Sequence, residues 1–401
     1  MDALDEVTSQ TIRKRRVTVL IRHYLPGFKS GGPLRSITNL VEQLSDQLEF
    51  SIITSDRDLL DKKPYPELKV GGWNSVGKSS VFYLTPLQIG LWRILSAIKQ
   101  SSPDVIYLNS FFDPFFSILP LFAARLGMFR HIQIILAPRG EISPGALGIK
   151  AFKKRLYLAL FKLLGMDRMV TWHFSTELEK EEFERIFGAG LKSQVAQNLT
   201  TPIKDQVIEV PKDSVEDSTR ALRVVFLSRI SVKKNLNLAI EVLKAVKSRV
   251  EFCIYGPVED QSYWRECQNQ WAALPPNVTV SYRGALVPSE VVERLGEHDL
   301  FLFPTRGENF GHVIIESLMA GVPVLTSDTV PWQELEERGA GWTVPLSELG
   351  RYSQIIDLHA AVGPLQRQQA ARQARAYASE IIASSKKAIE ANKQLFLAAN
   401  Q

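Results

Sequence analysis

The sequence predicts an α/β protein built from two doubly wound domains that face each other across a cleft. At 401 residues the chain exceeds what one ordinary core holds. Short β-branched runs alternate with longer amphipathic stretches through both halves, the pattern of parallel sheets covered on two faces. A polar stretch with no sustained period, NLTTPIKDQVIEVPKDSVEDSTR at 198–220, separates the halves and reads as a linker.

The first half carries strand-like runs at RVTVLI (16–21), FSIIT (50–54), DVIYL (104–108), HIQIIL (131–136) and MVTWHF (169–174). The second half repeats the theme with LRVVFL (222–227), VEFCIY (250–255), VTVSY (278–282), DLFLF (299–303) and VPVLT (322–326). Helical periodicity fills gaps at 34–46, 235–248 and 288–297. The expected domains are 1–205 and 206–380, followed by a helix at 381–401 that either packs back on the first domain or lies in solvent. Ligands of such sheets bind beyond the carboxyl ends of the strands.

A net charge of +5 suits an anionic small ligand or an anionic membrane surface, and is too weak to argue for nucleic acid. The cysteines, Cys253 and Cys267, form neither a disulfide framework nor a zinc spacing, which points to a reducing setting. MDALDEVTSQTIRKRR has no apolar core of a signal peptide, and no run reaches bilayer-spanning length. A cytoplasmic protein is expected.

Two stretches compete as the phosphate site. Gly72 to Ser79 matches G-x-x-x-x-G-K-S, the P-loop spacing of a nucleoside triphosphatase. A P-loop needs a buried strand before it and a helix starting at the Lys-Ser pair. Here DKKPYPELKVG precedes it and the β-branched SSVFYLTP follows, so a glycine-rich loop entering a strand is expected. The second stretch, FLFPTRGENFGHVIIESLMAGVPVLTSD (301–328), runs from buried strand through a tight turn into a helix. Asn309, Phe310 and Gly311 open that helix, where backbone N–H groups favour phosphate. Glu316 lies among Val313, Ile314, Ile315 and Leu318, an awkward place for an unemployed charge. A carboxylate there suits two neighbouring ribose hydroxyls.

With Glu308 and Glu316 spaced as Glu-x7-Glu, the sequence resembles the retaining GT-B glycosyltransferases of family 4. The resemblance runs from about residue 20 to about 380 and implies two Rossmann-like domains. Ser228-Arg229 and Lys233-Lys234-Asn235 resemble the arginine and lysine that hold the donor diphosphate. GFKSGGPLRSI (27–37) resembles the facing glycine loop, with Gly31 and Gly32 as close-approach glycines. IYGP and YRGAL place Gly256, Arg283 and Gly284 at the nucleotide pocket. By this resemblance Arg229, Lys234 and Glu308 are catalytic, and His312 and Glu316 join Asn309, Phe310 and Gly311 on the donor. No Asp-x-Asp pair stands out as a metal clamp, so neither a metal nor a cofactor is expected.

The family's histidine after the strand ending near Ala137 is replaced here by Arg139 and Gly140 in APRGEISPGAL. Arg139, Glu141 and His173 are the acceptor-side candidates, each also open to a purely structural role. His173 precedes a T-x-x-E capping box, Thr176 to Glu179. IKAFKKRLYLALFKLLG (149–165) is a basic amphipathic helix for which a core role and contact with anionic lipid both remain open. The expected activity is retaining transfer of a sugar from a UDP- or GDP-linked donor to a glycan or lipid-linked acceptor in bacterial polysaccharide or glycolipid synthesis. The alternatives are a P-loop NTPase and a GT-B protein that epimerises or merely binds a nucleotide sugar.

Overall fold

In the computed structural model, which describes residues 13–143, 147, 151–201 and 220–398, the chain forms two sheets. The first contains β1 (Arg15–Leu20), β2 (Leu48–Ser55), β3 (Trp73–Val76), β4 (Ser79–Leu84), β5 (Val105–Asn109), β6 (Gln133–Ala137), β7 (Thr171–Phe174) and β8 (Ser193–Val195). Their order is β3-β4-β2-β1-β5-β6-β7-β8, parallel except for β3. β5 and β6 are buried at every position, because helices cover both faces of the sheet. One face carries α1 (Gly32–Leu44). The other carries α2 (Leu91–Ser101), α3 (Leu119–Arg125), α4 (Ala151–Leu163) and α5 (Glu177–Phe187).

The second sheet contains β9 (Leu222–Leu227), β10 (Val250–Tyr255), β11 (Val278–Tyr282), β12 (Leu300–Phe303), β13 (Val324–Ser327) and β14 (Gly341–Val344). Its order, β11-β10-β9-β12-β13-β14, is the 3-2-1-4-5-6 of a dinucleotide-binding sheet. α6 (Leu236–Leu243), α7 (Gln261–Trp271), α8 (Val291–Gly296), α9 (His312–Ala320), α10 (Leu349–Ala361) and α11 (Pro364–Ala383) accompany it. In both sheets the order reverses beside the first strand, between β1 and β5 and between β9 and β12. Crossovers leave in opposite directions there and open a crevice at the strand ends. The expected domain break at 205/206 lies outside the described residues.

Gly72 to Ser79 is a hairpin. Val76 pairs with Ser79, so Gly77 and Lys78 form a two-residue turn between antiparallel β3 and β4. Gly77 has φ 55°, the backbone that tight hairpin turns demand of their first central residue. Lys78 reaches back to Glu42 at 2.9 Å rather than toward a phosphate. No helix begins at the Lys-Ser pair, since Ser79 opens β4.

The last helix, α12 (Ser385–Leu397), returns to the first sheet. Phe396 is fully buried against Tyr107 (ring centroids 5.1 Å apart) and Phe50 (6.5 Å). Asn392 donates to the Gln197 carbonyl at 2.8 Å, and Gln194 donates to that of Ala391 at 2.9 Å. The C-terminus thereby straps the second unit to the first. Removing a buried phenyl ring costs about 3–5 kcal/mol. Phe396→Ala is expected to lower the urea midpoint correspondingly; an unchanged midpoint would show that the strap contributes nothing to stability.

Candidate active site

The two units enclose a cleft of 210 Å³ at the carboxyl ends of both sheets. Six cations line it, Lys29, Arg35, Arg139, Arg229, Lys233 and Lys234, against two carboxylates, Glu308 and Glu316. This excess of positive charge in a partly desolvated crevice favours a polyanion.

Each lining group is set there by a strand end. After β1 the chain turns through Gly31 (φ 74°) into α1. A Cβ on Gly31 would lie 3.7 Å from Arg229 Nε, an ordinary contact, so it is the left-handed backbone rather than lack of space that favours glycine there. After β10, Gly256 (φ 137°) is obligatory, because a Cβ there would fall 1.7 Å from the Ser228 carbonyl oxygen. After β12, Thr305 to Gly311 lead into α9, and Glu316 lies one turn inside it.

Both carboxylates are paired. Glu308 accepts from Lys234 at 2.5 Å and from Thr305 Oγ1 at 3.1 Å. Burial would raise its pKa, but Lys234 and Lys233 outweigh that and hold it below the usual carboxylate range. Lys234 is pulled below an ordinary lysine by burial, with Arg229 and Lys233 adding to the effect. Glu316 pairs across the cleft with Arg35 of α1. Burial brings the Arg35 pKa down to about 10. Arg229 is held at 3.1 Å by Glu259.

Other contacts also cross the cleft. Ser36 Oγ donates to the Gly32 carbonyl, so it accepts from His312 Nε2 at 3.0 Å. Asn309 Nδ2 donates to Ser175 Oγ at 3.0 Å. Burial, then Arg35 and Arg139, push His312 down to about 3, so its imidazole is neutral.

Gly31, Gly32, Gly256, Arg229, Lys234, Glu308, Asn309, Phe310, Gly311, His312, Glu316 and Arg139 are brought together in this one cleft. Arg283 is not. It extends the alternation of Thr279 and Ser281, so its side chain joins theirs on the other sheet face, in a 940 Å³ surface groove. That groove lies along strands rather than at their carboxyl ends. Gly284 serves as backbone, its carbonyl accepting from Gly256 N at 2.7 Å. Among the described residues, no group of three or more His, Cys, Asp or Glu side chains is arranged to hold a metal.

The acceptor-side expectations for Glu141 and His173 do not fit their placement. Glu141 is part-buried and accepts from Ser110 Oγ and from the N–H groups of Phe111 and Phe112 (2.7 and 3.0 Å), which ties down the turn after β5. His173 lies inside the sheet. Its Nε2–H donates to the Ala196 carbonyl at 2.8 Å, so Nδ1 accepts from Tyr107 OH at 2.6 Å. Tyr107 OH in turn accepts from Arg139 at 2.7 Å. Arg139 also binds Asn109 and Asn198, so the cation that replaces the expected histidine is anchored from below. Thr176 caps α5 as expected, but Glu179 turns to Ser175 N and Gly140 N instead of closing the box.

Arg35 and Ser36 are lining residues that the sequence motifs did not single out. Arg35 and Ser36 follow Gly31 and Gly32 by one helical turn, so the 3.6-residue period was an available signal.

His173 is pushed down to about 3 by burial first and Arg139 second. The unfolded chain takes up this proton near 6.5, the ordinary value for histidine, well before the folded protein does. The histidine's effect on stability is therefore absent above pH 6.5 and grows unfavourable as pH falls toward 3. The slope is about 1.4 kcal/mol per pH unit. His173→Gln is expected to flatten the fall of Tm between these pH values, and an identical slope in both proteins would show that His173 titrates normally.

Residues 209–357 match the family described as Glycosyl transferases group 1. The chain is 24% identical over 343 residues to an uncharacterized 41.2 kDa protein in the cps region of Klebsiella pneumoniae, covering 82% of this chain and 87% of that one. It is 28% identical over 329 residues to the sulfoquinovosyl transferase SQD2 of Arabidopsis thaliana, covering 79% of this chain and 60% of that one. Among solved structures it is similar to a sucrose-phosphate synthase from Thermosynechococcus elongatus (TM-score 0.71, 14% identity, 96% and 98% of the two chains). It is also similar to HepE of Anabaena in complex with UDP and glucose (TM-score 0.67, 17% identity, 95% and 98%). Residues 209–357 thus carry the match to glycosyl transferases group 1, and the described chain has the GT-B fold.

Proposed function

We propose that the protein is a retaining glycosyltransferase that takes a sugar from a nucleotide diphosphate sugar, UDP-linked by preference, and delivers it to a glycan or lipid-linked acceptor. The observation that carries this reading is the cleft itself, with six cations and the start of α9 converging on a space flanked by Glu308 and Glu316. The binding of UDP by HepE supports the choice of base, and the cps-region relative supports a polysaccharide acceptor.

In this reading Arg229 and Lys234 bind the diphosphate, where negative charge grows as the sugar–phosphate bond breaks. Their charge-assisted hydrogen bonds strengthen toward the transition state, and the positive end of the α9 dipole adds to them. Glu308 orients hydroxyls of the transferred sugar while holding Lys234 in place. Glu316 takes the ribose hydroxyls. The acceptor hydroxyl attacks the anomeric carbon on the face from which the phosphate leaves; its proton passes to the departing phosphate oxygen, and configuration is retained. No protein base and no metal are required by that sequence of bonds.

A ligand at about one hundred times its Kd stabilises its protein by about 2.7 kcal/mol. UDP is expected to raise Tm in the native protein and in Lys78→Ala, whose lysine lies in the β3–β4 turn. The rise should vanish in Glu316→Ala and Arg229→Ala. Loss of the shift in Lys78→Ala alone would overturn the assignment, and epimerised donor without acceptor consumption would replace transfer by isomerisation.

A further inference from the structure

Outside the cleft, α4 presents a face that no other part of the described chain covers. Phe152, Leu156, Leu160 and Leu163 fall at helical spacing and point outward; Phe152 is 81% exposed and Leu163 is 83% exposed. The opposite side of the helix, Leu158 and Phe161, is buried in the core. A surface helix normally shows solvent a polar face. This helix carries apolar side chains on its outward side as well as on its buried one, and its outward stripe is continued by Leu126 (81% exposed) and Met128 just beyond α3. The ends of α3 and α4 are tied, since Arg125 Nε donates to the Leu164 carbonyl at 2.9 Å.

The charge within this stretch of the sequence is nearly all of one sign. Between Pro114 and Met166 the sequence has eight lysines and arginines, and its only acidic residue is Glu141. Glu141 is only part-buried, but its carboxylate is engaged by Ser110 Oγ and by the N–H groups of Phe111 and Phe112. Lys153, Arg155 and Lys162 are exposed and flank the stripe along α4. Long basic side chains beside an apolar ridge can lay their stems along it and raise their charges to a phosphate layer.

We infer that the α3–α4 face is a docking surface for an anionic lipid bilayer, entered by the stripe from Phe152 to Leu163 and held by the basic residues beside it. A hydrophobic ridge flanked along its own helix by cations fits a surface that is apolar inside and anionic at its rim. Among the described residues no helix is long and apolar enough to cross a membrane, so the contact is peripheral. α4 is about 20 Å long. It leaves the sheet after β6, whose carboxyl end carries Arg139 into the cleft, so docking along α4 brings the cleft rim to the headgroups. The inference does not depend on glycosyl transfer.

The test is co-sedimentation of the full chain with phosphatidylcholine vesicles, with and without roughly one third phosphatidylglycerol. Binding is expected only to the anionic vesicles, and should weaken in high salt. Leu156→Asp with Leu163→Asp should abolish it without moving Tm, since both side chains are exposed. Lys153→Glu with Arg155→Glu should weaken it by about 30-fold or more, at about fivefold per basic residue. Equal binding to neutral vesicles, no binding to either, or no effect of either double variant would overturn the proposal. So would a dimer in solution that Leu156→Asp with Leu163→Asp dissolves, which would make this face an interface between copies.

Discussion

Glu308 and Glu316 sit in a crevice that most of the surrounding structure serves to keep positive. A buried carboxylate is tolerated only where its charge is met, because desolvation costs several kcal/mol per ion. Glu308 is met from its own unit by Lys234, and Glu316 from the opposite unit by Arg35. Removing either cation would leave an anion inside. The cleft is therefore a shared electrostatic problem, solved only when both units are present and correctly opposed.

That requirement explains features which look unrelated along the chain. Gly31 supplies the left-handed backbone by which the loop before α1 turns toward Arg229. Gly256 must lack one because the Ser228 carbonyl occupies the space. Arg139 is locked by Tyr107, Asn109 and Asn198, and behind them His173 completes a hydrogen-bond chain ending on the Ala196 carbonyl. The far end of the chain takes part as well: Phe396 packs on Tyr107, whose hydroxyl holds Arg139. Strap, sheet core and cleft floor form one contiguous path.

Strand and helix alternation made the two-sheet fold legible, because parallel strands buried on both faces leave unbroken apolar runs. β8 and β14 escaped notice: each is only three or four residues long at a sheet edge, where burial is incomplete and the run carries little signal. The residues around Glu308 were legible because helix start, glycine and carboxylate recur within one short segment. Arg35 was not, since its partner lies 281 positions away and no local pattern announces a cation aimed at another unit. Glu141 and His173 failed for the converse reason. Their residue types permit chemistry, but backbone N–H groups and a tyrosine hydroxyl occupy them fully, and such partners are visible only in three dimensions.

The pairing of Arg35 with Glu316 bears on how a donor would enter. The cleft, at 210 Å³, is smaller than the roughly 300–1,000 Å³ typical of ligand pockets, and the side chains of this pair reach into it from opposite walls. On the proposed assignment, ribose hydroxyls and Arg35 compete for the same carboxylate. A neutral diol alone cannot compensate for the cation it displaces, because Arg35 would be left buried without a counter-charge. A nucleoside diphosphate can, since it brings its own negative charges within reach of the glycine loop and of Arg35 one helical turn behind it. Displacement is then an exchange of one anion for another. On that assignment, the ion pair that joins the two units favours a ligand carrying both ribose and phosphate over one carrying either alone, before the sugar or the acceptor is recognised.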